Sequence, residues 1–553
     1  MSRFSKHISF LIAVVLVISM VMGCSGIPTS QTNNSQTETT KSVDNQTTQS
    51  NPYEKPIRFT FLNPWSDIIT TSDMVTDPSS QYYDERWKMI LDKYNIAIDY
   101  VMSDFGSIAE KTRVSIAAGD IQDVAMTFNL DTKELRKYAQ EGGIKSLPID
   151  TYEKYPNIKR AIESVTSKES LMVDGQYVAL PRTMDLDGVS GDYINMLLYR
   201  KDIAKEAGVT IKDEYTIQEI YDMFKAVKTK YPEMQTFSHI WPNQMYQLGL
   251  FQNSPFVGYW PGEGLFFNKE TGKYDYAWAL PETIDGIKWL KKFYDDGFMI
   301  KDYVNLQNYD ARAQFVTGQS FCHFDGANIA FFNMVTNEFK KNNPDKNVED
   351  CVDTFLLVTD KNEYIINDWG NRSGEFVFSP NLDDEKYSRI LSLMDYMMSD
   401  EGIDLTFFGV EGEHYKKDGD KLVSLRKVVD QSTGALEPLG GADIVPTIMQ
   451  VIVPEVGIAA RNPYINDYVK DRINFLFQKR TNGKNITKSY DNNRATYSSE
   501  IQLNFKLDAG GELNKLIITE SAENIEAAWK EWLTSNEAAY KAAVDDLNNN
   551  LLG

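Results

Sequence analysis

The feature that most constrains this chain is the alternation of strand-like and helix-like stretches across residues 55–142. "KPIRFTFLNPWSD" (55–67) opens with an apolar, β-prone run and breaks at Asn63-Pro64, which reads as a strand ending in a loop. "YYDERWKMILDKYN" (82–95) reads as a helix and "IAIDYVM" (96–102) as a second strand. "IAEKTRVSIAAGD" is helical, "DVAMTF" (123–128) is a third strand, and "TKELRKYAQEGG" is a helix closed by Gly142. Strands that alternate with helices imply an α/β domain with a largely parallel sheet. Two later helices carry their own punctuation. Thr216 with Glu219 forms a capping box ahead of apolar positions 217, 220, 224 and 227, and Tyr231-Pro232 stops that helix. In "DDEKYSRILSLMDYMMSDEG", Tyr387, Ile390, Leu391, Met394, Met397 and Met398 make one core stripe that Gly402 is expected to close.

The N-terminus places this body. Arg3 and Lys6 precede "ISFLIAVVLVISMVM" (8–22), fifteen residues without a charge. That run is short for a membrane span, which needs about 20 residues, and its flanks have the secretory pattern. "VMGC" resembles the bacterial lipobox, so residues 1–23 are expected to be a signal peptide and Cys24 the lipidated N-terminus of the mature chain. Ser, Thr, Asn and Gln supply 20 of the 28 residues from 25 to 52, too little apolar surface to offset ordering entropy. Residues 24–52 therefore read as a disordered polar tether, reaching roughly 30 Å as a flexible coil.

About 500 residues follow, too many for one core, so two lobes are expected. The formal charge of −22 becomes −24 once Arg3 and Lys6 leave with the signal. A body this acidic repels nucleic acid and disfavours uronate or sulfated ligands, although local cleft charge is set separately. Beyond Cys24 only Cys322 and Cys351 remain, so no disulfide framework holds the fold; a single pairing and two buried thiols are both open. The chain has 30 Tyr, 28 Phe and 9 Trp, enough to build cores and still line a large binding surface.

Signs of catalysis are missing from the sequence. His239, His323 and His414 lack the following Glu of a zinc-protease helix, and there is no Cys-x-x-Cys pair, Gly-x-Ser-x-Gly elbow or Walker loop. "DLDGVSGD" (185–192) carries three Asp without calcium-loop spacing. No metal or cofactor is expected.

Several ordered stretches resemble the extracellular solute-binding proteins of bacterial sugar importers. "AAGDIQDVAM" (117–126) resembles their small-residue turn before a strand, with Gln122 in place of the usual proline. "DGQYVALPR" (174–182), "LLYRKDIAKEAGV" followed by "YTIQEIYDMF", and "FVTGQSFCHFDG" (315–326) are similar to further family segments. "MDYMMSDEGIDLTFFGVEGEHY" (394–415) and the Trp529 and Tyr540 region resemble the large lipoprotein branch that binds oligosaccharides. The Asp/Asn/Gly-rich calcium loop of many relatives has no counterpart in "VKTKYPEMQTFSHIW".

The resemblance implies an α/β, two-lobed periplasmic-binding-protein-like fold with a hinge and an interlobe ligand cleft. Residues 53–183 plus 325–372 would form lobe I, and 184–324 plus 373–553 lobe II. The chain would cross near Pro181–Ser190, return near Asp325 and cross again near Asn371–Phe376. It further implies an oligosaccharide ligand, ABC transporter permease partners and a monomer anchored through Cys24 on the outer face of a Gram-positive membrane.

Sugar recognition needs aromatic faces for pyranose rings and polar groups for hydroxyls, because an unpaired hydroxyl in a closed cleft costs about 1–3 kcal/mol. Such groups belong in loops after strands. Trp65 and Asp67 follow the first strand, and Phe128 and Asn129 the third. Arg182 and Asp185 lie in the first crossing, where the alternative is a hinge salt bridge. Trp241, Tyr259 and Trp260 stand among turn formers, Asp325 in the expected return, and Trp369 and Arg372 at the third crossing. His414, Tyr415, Trp529 and Trp532 are expected to hold the fold. Two rivals stand beside the receptor: a surface glycoside hydrolase or lyase, and a peptide-binding or sensor co-receptor.

Overall fold

The computed structural model describes residues 53–64, 68–104, 106–128, 130–183, 196–239, 264–305, 308–324, 328–367, 370–419, 421–430, 435–441, 455–488 and 490–552. The expected signal, Cys24 and the tether lie outside them. The chain divides after Ser50, and both lobes belong to the unit that begins at Asn51. Among the described residues no helix is long and apolar enough to cross a membrane.

In chain order the strands that build the fold are β1 (Ile57–Asn63), β2 (Ile96–Met102), β3 (Val124–Thr127), β4 (Leu180–Thr183), β5 (Met196–Arg200) and β6 (Glu214–Tyr215). They continue with β7 (Gln235–His239), β8 (Ser320–Phe324), β9 (Val352–Leu357), β10 (Tyr364–Asn367), β11 (Arg372–Phe378) and β12 (Asn485–Lys488). One five-stranded sheet has the order β2-β1-β3-β11-β4 and the other β7-β8-β5-β9-β6. In the first, β1 runs parallel to β2 and β3, while β11 is antiparallel to β3 and β4. In the second, β7 and β8 are parallel, as are β9 and β6, and β5 is antiparallel to β8 and β9. Each sheet thus has one strand against the grain, and it is the one that arrives from the other lobe. That strand starts at the edge where its parallel neighbours end.

Local expectations and observed elements agree for local reasons. Helix α1 (Glu85–Tyr94) starts on Asp84, whose carboxylate accepts from the Arg86 amide, and it buries Trp87, Ile90, Leu91 and Tyr94. The Thr216 and Glu219 capping box opens α2 (Ile217–Lys230), which buries Ile217, Ile220, Met223, Phe224 and Val227. The methionine stripe lies on α3 (Asp384–Met397) inside the first core. Gly402 does not close that helix. Met398 caps it, and Ser399 starts a new turn by accepting from the Gly402 amide at 3.1 Å. A Cβ at Gly402 would collide with the Tyr396 carbonyl oxygen.

The lobe boundaries differ from the expectation. Residues 329–357 belong with the second sheet: α4 (Ile329–Asn342) packs Phe332, Val335 and Phe339 against Val352 and Leu198, and β9 pairs with β5. Asp325, the expected return, lies outside the described residues, and the elements on either side of it, β8 and α4, both belong to the second lobe. The return falls between β10 and β11, and residues from Phe376 to Tyr415 join the first core rather than lobe II. The last crossing spreads over residues 458–465: Ile458 packs in the first core and Ala459 in the second lobe, Tyr464 packs on the first core again, and Ile465 joins the second lobe. From there α5 (Asp467–Thr481) and the C-terminal helices complete the second lobe, where α6 (Ile525–Ser535) buries Trp529. Cys322 and Cys351 are free thiols, both buried, and burial pushes each thiol up from its ordinary range.

Candidate functional site

The parallel strands of an open α/β sheet offer ligands their carboxyl ends. In the first sheet those ends are Asn63, Thr127 and Thr183, with Arg372 alongside because β11 starts there. In the second they are His239, Phe324 and Leu357, with Met196 at the start of β5. Most candidate residues come after strand ends in the chain, whereas Arg182, expected in a crossing loop, lies within β4 and Arg372 opens β11. Trp65, Asp67, Asn129, Asp185, Trp241, Tyr259, Trp260, Asp325 and Trp369 lie outside the described residues. Phe128, Arg182 and Arg372 are described, and the first sheet brings them together.

Phe128 follows β3 directly and is only 7 % exposed, so the core holds its ring. The guanidinium of Arg182 lies over that ring, 6.0 Å from its centroid. Arg182, equally buried, donates from Nη1 to Ser373 Oγ at 2.6 Å. It serves the crossing strands through a hydroxyl and a ring face among its contacts.

Arg372 opens β11 and pairs with Glu375, Nε to Oε1 at 3.2 Å, with side chains 11 % and 4 % exposed. The Tyr490 ring lies 5.9 Å from its guanidinium carbon. Burial pushes the Glu375 carboxyl up from the ordinary carboxylate range, and the Arg372 charge opposes that rise. Buried Nη1 of Arg372 and Oγ1 of Thr127 have no hydrogen-bond partner among the described residues. A buried donor without a partner costs about 1–3 kcal/mol, and more when it is charged.

The pairing depends on a backbone irregularity. In a regular strand, residues three apart point to opposite faces. Here the register of β11 against β4 shifts between Arg372 and Glu375, and Gly374 sits at φ 121°. A Cβ at Gly374 would lie 2.6 Å from the Thr127 carbonyl oxygen and 3.0 Å from Phe128 Cδ1. Gly374→Ala is expected to destabilise the protein by about 1–3 kcal/mol and to displace Phe128. Urea unfolding measures the first effect, and ligand titration the second as a loss of affinity.

Sequence reasoning missed Thr127, Ser373, Glu375 and Tyr490. Ser373 and Glu375 lie close to Arg372 in the chain, but only the sheet makes Ser373 a partner of Arg182, and only the bulge makes Glu375 a partner of Arg372. Tyr490 carries no sequence signal, since it is far from Arg372 in the chain. It leads into the short helix Asn492–Thr496, where Asn492 Nδ2 donates to Thr166 O at 2.8 Å and Glu169 Oε2 at 3.0 Å. The neighbouring Asp491 accepts from Tyr274 Oη at 2.8 Å, so this segment ties residues of the first lobe to the second. His414 Nδ1 accepts from the Val410 amide at 3.0 Å, a contact that shapes a turn. Among the described residues no group of three or more His, Cys, Asp or Glu is placed to hold a metal ion.

Known proteins share this architecture. Lipoprotein LipO of Bacillus subtilis is 26 % identical over 275 residues, 48 % of this chain and 51 % of the relative, so the chain spans about half the length of that protein. The crystal structure of the N-glycan transport solute binding protein of Streptococcus pneumoniae superposes with a TM-score of 0.58 at 16 % identity, covering 90 % of this chain and 98 % of that one. The alginate-binding protein AlgQ2 gives 0.60 at 16 % identity, covering 88 % and 96 %. These likenesses establish the two-lobed α/β fold of solute-binding proteins. The sequence profile described as "Bacterial extracellular solute-binding protein" matches residues 87–406, more than half of the chain, and the protein belongs to that family.

Proposed function

We propose that this protein captures an oligosaccharide between its two lobes and delivers it to the permease of an ABC transporter, without chemical change to the ligand. It works as a monomer held by a lipid on Cys24 at the outer face of a Gram-positive cell membrane, with residues 24–52 as its tether. The observation that carries the reading is the cluster at the end of the first sheet. Phe128, Arg182, Arg372 and Thr127 converge where β1, β3 and β4 end and β11 begins, beside the chain crossings. Arg372 Nη1 and Thr127 Oγ1 are buried groups without a hydrogen-bond partner among the described residues.

A sugar suits that arrangement, because it brings hydroxyls for the polar groups and an apolar ring face for aromatic side chains. Trp65, Trp241, Tyr259, Trp260 and Trp369 are the candidates for such faces by their place in the sequence, and Asp67, Asn129, Asp185 and Asp325 are the candidate acceptors. Closure of the lobes on the ligand is a hinge transition, and the bound form is the one a transporter recognises.

The test is a thermal-shift screen of the mature chain against a glycan panel, with chromatography of the same mixtures for products. Ligand at about 100 times its dissociation constant should stabilise the fold by about 2.7 kcal/mol. A shift with one oligosaccharide series and no new products supports the receptor. Turnover of the bound glycan would favour the hydrolase or lyase instead, and shifts with peptides alone would end the sugar assignment.

A further inference from the structure

We infer that Glu375 sets the charge class of the ligand: by cancelling Arg372 it fits this subsite to a neutral sugar hydroxyl and turns away sugars that carry a carboxylate. This deepens the oligosaccharide reading and rests on it.

Stability alone does not call for the ion pair. Buried pairs can often be exchanged for well-packed apolar residues without loss of stability. The strand that carries this pair continues into Phe376, Val377 and Phe378, all buried, so apolar burial is available along it. The pair instead occupies the first residues of β11, on the bulge that Gly374 makes possible, at the ligand end of the sheet.

The geometry divides the guanidinium in two. Its Nε side faces Glu375 at 3.2 Å, while the buried Nη1 has no hydrogen-bond partner among the described residues. Nη1 can donate to an incoming oxygen. A hydroxyl oxygen accepts that bond without adding charge. A carboxylate would place a second negative group on a guanidinium that already has one, with Glu375 too deeply buried for water to screen the repulsion. The fork would otherwise be well shaped for a carboxylate, since a guanidinium binds one in bidentate fashion. Glu375 occupies one arm of it. The neighbouring cation, Arg182, is already engaged by Ser373 and the Phe128 ring.

The experiment titrates the full chain calorimetrically with matched pairs that differ in a hydroxymethyl or a carboxylate at each ring: galacto- against galacturono-oligosaccharides, and manno- against mannurono-oligosaccharides. The wild type is expected to bind the neutral member of a pair about tenfold or more tightly than its acidic partner. Glu375→Gln, which keeps shape and removes charge, should move that ratio toward the acid by about tenfold or more. The double variant Arg372→Gln with Glu375→Gln has no charge at either position and should show no such move. A mainly structural role for Glu375 would weaken both ligands alike and leave the ratio where it was.

A wild type that prefers the acidic member overturns the inference, and so does an unchanged ratio in Glu375→Gln. Should Glu375→Gln fail to fold, the wild-type ratio and the double variant decide, and acid binding gained by the double variant counts against it. If no chain binds any member of either pair, the oligosaccharide reading itself is overturned and this inference falls with it. Binding without charge discrimination overturns the inference alone.

Discussion

Trp529→Ala is expected to cost about 3–5 kcal/mol, the range for removing a large aromatic side chain from a core. Trp529 is fully buried, packs 5.7 Å from the Trp278 ring and 4.8 Å from Trp532, and donates from Nε1 to the Trp278 carbonyl at 3.2 Å. It links α6, near the end of the chain, to the turn that follows the hairpin of 265–276. Truncation would remove ring packing and leave the Trp278 carbonyl without that donor. Trp529→Phe retains most of the volume and should cost much less. Hydrogen exchange offers the sharper measurement. Amides of 273–279 and 525–547 should lose protection, while those of β1 and β2 in the other core keep theirs. Uniform loss across both lobes would show that the two cores unfold as one unit, and an effect below about 1 kcal/mol would show that Trp529 does not carry the packing of a core residue.

Asp84→Ala should cost a comparable amount by a different route. Asp84 and Arg86 form a buried ion pair at 2.6 Å, and Arg86 also donates from Nη1 to the Thr406 carbonyl at 3.0 Å. Removing the carboxylate leaves a guanidinium buried without its counter-charge, which costs about 3–5 kcal/mol. The Arg86 amide loses its cap as well, a further loss of about 1 kcal/mol. Adding Arg86→Met to Asp84→Ala should recover most of the stability, because no uncompensated charge then remains. Urea unfolding of the two single variants and the double variant measures the coupling. Equal losses in Asp84→Ala and the double variant would mean that packing, not charge, makes this pair matter. Packing around it is close: a Cβ on Gly440 would come within 2.5 Å of Asp84 Oδ2. The pair thus joins the start of α1 to the π-helical turn 404–408 and to residue 440, far apart in the chain.

Among titratable groups of the site, Glu375 shows how fold and ligand chemistry meet. The overall charge of −22 argued against acidic ligands on global grounds. The structure supplies a local ground for the same expectation in a single buried carboxylate beside Arg372. The two grounds separate experimentally, since only the local one responds to Glu375→Gln, and only the global one weakens as salt is raised.

What the sequence by itself determined was local. The strand of 57–63, the helix opened by Asp84, the capping box at Thr216 and the stripe from Tyr387 to Met398 all rest on periodicity, caps and breakers that act over a few residues. Motif order added the two-lobed family fold. Tertiary structure decided what depends on distant partners. The segment from 328 to 357 belongs to the second lobe because α4 and β9 find their apolar neighbours there. Gly402 sits inside a new turn because Ser399 caps it and the Tyr396 carbonyl leaves no room for a side chain. Ile458 and Ala459 divide between two cores. Arg372 meets Glu375 only because a bulge at Gly374 undoes the alternation of the strand. Propensity and period describe a residue's nearest neighbours along the chain. Sheet order, bulges and lobe membership are settled by burial between segments hundreds of residues apart, and no short pattern records them.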